Sequence, residues 1–151
     1  MKIITKRTFR ALPLELWEII HNPSNMPAWN PKCLTCKDII QSEPGRKFAV
    51  TYKMKGKHTD AVGELISSRK EKLIHFRYFY EDKAKVGTVD EVFEIIPAER
   101  GKTLLIHTVD FSKSTLPYWV KLLIGFLGRF GKSMGRGPMD GIASLLQATR
   151  R

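Results

Sequence analysis

Cysteine is scarce, with Cys33 and Cys36 the only two in 151 residues. So few exclude a disulfide-stapled scaffold, and a chain of this length buries enough surface to fold without staples. Cys33-Leu34-Thr35-Cys36 is a lone CxxC, with no second ligand pair to complete a metal site and no βαβ setting for a redox motif. In an extended segment, residues three apart point to opposite faces, which works against chelation and against a disulfide; the two read as ordinary thiols. Long apolar runs are also missing. The longest, near Leu116 to Phe130, is broken by Lys121 and Arg129 and falls short of the roughly 20 residues that span a bilayer. Charge soon interrupts Met1 to Arg7, so no signal peptide is read there and a cytoplasmic location is expected. No repeat, low-complexity tract or Pro/Gly-rich linker divides the chain, and residues 1–151 read as one domain.

Sequence signatures of catalysis are lacking too. There is no Gly-x-Ser-x-Gly element and no dinucleotide fingerprint. Gly131-Lys132-Ser133 matches only the end of a phosphate-binding loop, because Phe126 stands where that pattern needs glycine and no strand precedes it. His21, His58, His75 and His107 stand alone without metal-ligand spacing. Neither a metal nor another cofactor is expected.

Positive charge, by contrast, is plentiful. The net charge is +11, and from Lys113 onward seven basic residues face one acid, Asp140. Such a basic end attracts nucleic acid, anionic lipid or an acidic ligand, or simply forms a solvated helix face.

Apolar periodicity then gives the elements. Lys2 to Phe9 reads as a strand, and Pro13 opens a short helix with Leu14, Trp17 and Ile20 or His21 on its apolar side. Asn22-Pro23 ends that helix, and Ser24 to Pro31 is a turn-rich connector. The period then becomes two. Strands are predicted over Cys33–Glu43, Lys47–Lys55, His58–Ser68, Lys72–Glu81, Val86–Pro97 and Lys102–Lys113. Their turns are short, so neighbours are antiparallel, and the sheet must bury one face under the C-terminal third. That third is a helix from Pro117 with an apolar stripe through Leu123 and Phe126, kinked at Arg136-Gly137-Pro138. Its glycines, among them Gly125, Gly128 and Gly141, each cost about 1 kcal/mol against alanine. Close packing onto the sheet, room for a ligand, or a hinge would each account for them.

Several stretches carry a resemblance: Leu12-Pro13-Leu14-Glu15-Leu16-Trp17, Met26-Pro27-Ala28-Trp29-Asn30-Pro31, Gly63-Glu64-Leu65, Gly101-Lys102-Thr103 and the long terminal helix. Together with the order of elements, over the whole chain, they resemble the START/Bet v 1-like superfamily, also called SRPBCC or polyketide cyclase/dehydrase-like. The resemblance implies an α+β helix-grip fold, β-α-α-β6-α, with a seven-stranded curved antiparallel sheet wrapped around a long, kinked C-terminal helix. It also implies a cavity between sheet and helix for an apolar small molecule such as a lipid or polyketide. A minority of members catalyse cyclisation or dehydration, and no shared catalytic motif exists to carry over.

Hairpin counting supplies a candidate site. With Ala98 to Gly101 as the last turn, Phe93 faces His107 and Glu91 faces Val109, which makes Glu91 and His107 diagonal neighbours. On the preceding hairpin Tyr78 is expected opposite Glu91, and Tyr80 opposite Val89. Tyr78, Glu91 and His107 then share the concave face as candidate acid–base groups or as a self-satisfied core cluster. Phe48, Tyr52, Phe76, Tyr78, Phe93, His107, Phe111, Trp119, Leu123 and Phe126 are the candidate ligand contacts, though any one of them also suits an ordinary core. The leading expectation is a carrier of an apolar ligand. A cyclase or dehydratase using Glu91 and His107 is the first alternative. Docking on an anionic membrane through Trp119, Phe126 and Phe130, ringed by Lys121, Arg129 and Lys132, is the second. Nucleic acid is not an expected partner, since inward-facing rings cannot stack on bases.

Overall fold

Alternating apolar residues separated by short turns make each strand fold back on the one before it. A computed structural model describes residues 1–40, 45–54, 56–80, 87–114 and 137–150. Its strands are β1 (Lys2–Phe9), β2 (Cys33–Ile40), β3 (Lys47–Met54), β4 (Lys57–Arg69), β5 (Leu73–Tyr80), β6 (Thr88–Pro97) and β7 (Thr103–Asp110). They form one antiparallel sheet in the order β1-β7-β6-β5-β4-β3-β2. Only β1 and β2 are separated in this order, because the helical segment between them carries the chain from one edge to the other. That segment holds α1 (Pro13–Ile20), a 3-10 turn (Pro23–Asn25) and the single turn α2 (Met26–Trp29). The chain ends in α3 (Pro138–Thr149). Seven strands and a C-terminal helix make this the expected helix-grip α+β architecture.

Both longer helices start alike. Leu12-Pro13-Leu14-Glu15 and Gly137-Pro138-Met139-Asp140 each place proline in the first turn and an acid three residues after the cap. The acid reaches back: Leu12 N–H donates to Glu15 at 2.6 Å, and Gly137 N–H donates to Asp140 at 3.1 Å. Gly137 itself is extended (φ −104°, ψ −177°) and caps the start of α3, while the rest of the kink expected at Arg136-Gly137-Pro138 lies outside the described residues. The expected helix before it, with Trp119, Leu123, Phe126 and most of its glycines, lies outside the described residues. So do the membrane-facing candidates Lys121, Arg129, Phe130 and Lys132.

Period-two alternation decides which side of the sheet is covered. Phe48 and Val50 on β3, Ile74, Phe76 and Tyr78 on β5, and Val89, Phe93 and Ile95 on β6 are all buried. Ile142 and Leu146 of α3 and Leu16 and Ile20 of α1 close the same core. The stretch expected as a connector does more than connect, since Met26 and Trp29 of α2 are fully buried within it. On the outer face Arg77 forks onto Asp90 across the β5–β6 pair, at 2.7 and 3.1 Å. Burial alone would raise the Asp90 carboxyl, but the hydrogen bonds and charge of Arg77 outweigh it and hold Asp90 below its ordinary value.

Three β-bulges, at Cys33/Thr35, Asp38/Ile40 and Leu65/Ser67, bend the sheet. Gly63, opposite Phe48 in the β3–β4 pair, leaves the space that the Phe48 ring fills, because a Cβ there would lie 2.2 Å from that ring. Gly63→Ala is therefore expected to push Phe48 from its site and lower stability by about 2 kcal/mol, read as the urea midpoint at unchanged slope.

Candidate functional site

β5, β6 and β7 bring three polar side chains together on the concave face. The β6–β7 register pairs Phe93 with His107 and Glu91 with Val109, as the hairpin count predicts. The β5–β6 register differs from expectation by two residues, with Phe76 opposite Glu91 and Tyr78 opposite Val89. A shift of two preserves the face, since side chains alternate with period two, so Tyr78 still reaches Glu91 diagonally. Tyr78 O–H donates to Glu91 Oε2 at 2.6 Å, and His107 Nε2 lies 2.7 Å from Glu91 Oε1. With Glu91 ionised, His107 donates from Nε2, and both carboxylate oxygens are occupied. All three residues are buried.

Their setting is aromatic. His107 stacks on Phe93 with ring centres 4.5 Å apart, and Phe93 meets Trp29 edge-on at 5.4 Å. Tyr52 stands edge-on to Tyr78 and donates its hydroxyl to Met26 Sδ at 3.4 Å. Burial, then the Glu91 charge, pushes the Tyr78 phenol well above its usual value, which keeps it a proton donor.

Beside this triad lies a pocket of about 210 Å3. Tyr78, Glu91 and His107 supply its buried polar wall, joined by Val89 and Asn30. Tyr52, Val109, Phe111, Pro138 and Lys32 form its half-buried remainder. Of the candidate ligand contacts, Tyr52, Tyr78, His107 and Phe111 thus line the pocket. Phe48, Phe76 and Phe93 are fully buried and pack in the core beneath it, where Phe48 meets Phe76 edge-on at 5.5 Å. Trp119, Leu123 and Phe126 fall outside the described residues.

Asn30, Lys32 and Pro138 join the site unanticipated. No periodicity marks the first two, because they sit in the Asn-Pro turn ahead of β2. A larger groove, about 450 Å3, runs between α1, α2 and α3 and is rimmed by Glu15 and Glu18. It contains no buried hydrogen-bonded polar group, so the smaller pocket is the better candidate.

The cysteines require a correction. Cys33 pairs with Tyr52 and Cys36 with Val50, two residues of one β3 face. The bulge between Cys33 and Thr35 inserts an extra residue, so both thiols face the core rather than opposite sides. Burial, then the Glu91 charge, pushes Cys33 up to about 11, and burial, with neighbouring Cys33 and Asp38, pushes Cys36 up to about 12. Both are free thiols with little thiolate character. Among the described residues no cluster of three or more metal-ligating side chains occurs. None of the described helices is long and apolar enough to cross a membrane.

Residues 1–146 match the model of the family described as polyketide cyclase / dehydrase and lipid transport. The chain belongs to that family. Solved structures place this polyketide cyclase/dehydrase family member in the START/Bet v 1-like fold. A START superfamily protein from Mycobacterium smegmatis is 18% identical, with a TM-score of 0.71 over 98% of this chain and 95% of its own. A protein from Thermus thermophilus, 12% identical, gives a TM-score of 0.74 over all of both chains. Ara h 8.0201, 13% identical, gives 0.69 over 98% of each chain. At such identities the likeness concerns the fold alone. None of the curated proteins matches the sequence.

Proposed function

We propose that this chain binds and carries a hydrophobic small molecule, lipid or polyketide-like, in the pocket over Tyr78, Glu91 and His107. The supporting observation is the pairing of an apolar lining with one buried, internally hydrogen-bonded polar cluster. Small-molecule sites combine mostly apolar walls with a few fixed polar groups in this way. The family description, which includes lipid transport, agrees with the reading.

N-phenyl-1-naphthylamine, a neutral apolar fluorophore, tests it. Saturable enhancement with about one site per chain is expected, and Val109→Arg, which puts a charge into the lining, should abolish it while the fold survives. Enhancement untouched by Val109→Arg would place the probe elsewhere and count against the pocket.

The Glu91–His107 contact favours a second reading, an enzyme of the cyclase or dehydratase kind. A histidine and a carboxylate in hydrogen-bond contact beside a pocket provide a proton acceptor and donor. In that reading His107→Gln would retain ligand binding and lose turnover.

A further inference from the structure

The charges in the pocket lining are unequal in their partners. Glu91 has one donor on each oxygen, Tyr78 on Oε2 and His107 on Oε1, so its charge is met inside the wall. Lys32 lines the same pocket and is half-buried. Its backbone is fixed on both sides: its N–H donates to Asn30 Oδ1 at 3.1 Å, and its carbonyl accepts from Lys53 N–H at 2.8 Å. Among the described residues no carboxylate forms an ion pair with its ammonium. A half-buried cation beside apolar surface is stabilised by an anion brought to it, because its own hydration is already reduced.

We infer that Lys32 anchors an acidic group of the ligand, so that the pocket selects amphipathic carboxylic acids over neutral molecules of the same apolar body. This rests on the pocket reading above. The lining grades from buried Tyr78, Glu91 and His107 to half-buried Lys32, Phe111 and Pro138. An acid would therefore seat its apolar body against Val89 and Val109 and leave its carboxylate at the wetter end with Lys32. The opposite orientation would set two carboxylates together at Glu91, which like-charge repulsion disfavours.

Octanoate and octanol share an apolar chain and differ in the head group. Isothermal calorimetry at low salt and pH 7 should give octanoate an affinity about tenfold or more above octanol, the range of a charge-assisted hydrogen bond. Lys32→Met should collapse that advantage to about twofold or less, and Lys32→Arg should retain most of it. Equal affinities in the native protein, or an advantage that survives Lys32→Met, would overturn the inference and leave the pocket reading standing. If neither compound binds the native protein, the pocket reading falls and the inference falls with it.

Discussion

Glu91→Leu is expected to destabilise the protein by about 3–5 kcal/mol, because each buried donor left without its acceptor costs about 1–3 kcal/mol and more where the lost acceptor is a carboxylate. The change takes from the Tyr78 hydroxyl and His107 Nε2 their carboxylate contacts of 2.6 and 2.7 Å, leaving the hydroxyl only a long contact to Met26 Sδ at 3.8 Å. Glu91→Gln should cost much less. Its amide oxygen still accepts from Tyr78, while its NH2 can donate to the other tautomer of His107. Tyr78→Phe combined with Glu91→Leu and His107→Phe removes every polar atom of the cluster at once, and should recover most of the lost stability. Urea denaturation of the three variants decides the matter. A triple variant near native stability that no longer binds ligand would mean the cluster is kept for binding. A Glu91→Leu protein as stable as the native one would mean the two contacts are not made.

Gly141→Ala should be nearly as damaging, for a steric reason. A Cβ on Gly141 would lie 1.7 Å from the Trp29 carbonyl oxygen and 2.6 Å from its carbon, so α3 would have to lift away from α2. Overpacking costs about 1–3 kcal/mol where side chains can yield, and more where backbone must move. Alanine returns roughly 1 kcal/mol in helix propensity. A net loss of about 3 kcal/mol is expected, with α3 loosened first and faster amide exchange from Met139 to Leu146. An unchanged or raised melting temperature would contradict the close approach.

These two residues mark what could be read from the sequence. The pairing of β6 with β7 was legible because Ala98 to Gly101 is a compact turn, with Arg100 and Gly101 at positive φ, that fixes the count on both sides. The β5–β6 connection is longer, and counting across it misplaced Tyr78 by two residues while keeping its face. The opposite-face reading of Cys33 and Cys36 failed because a bulge changes the face of everything beyond it, and this one carries no glycine or proline to announce it. Gly141 was legible as a glycine needing a reason, and close packing was among those open. Its partner, however, is α2 rather than the sheet, and a four-residue helix in a turn-rich stretch leaves no periodicity to read. Lys32 escaped notice for a related reason: a lysine is informative only once the fold shows that it has no ion pair among the described residues.

The central claim is that the ligand lies against Tyr78, Glu91 and His107, and amide chemical-shift mapping tests it most directly. Titrating octanol into isotope-labelled protein should move the signals of Tyr78, Val89, His107 and Val109, with saturation at one site. Shifts confined to Glu18, Ile19 and Leu145 would assign binding to the larger groove between the helices and contradict the account, as would a spectrum that does not move at all.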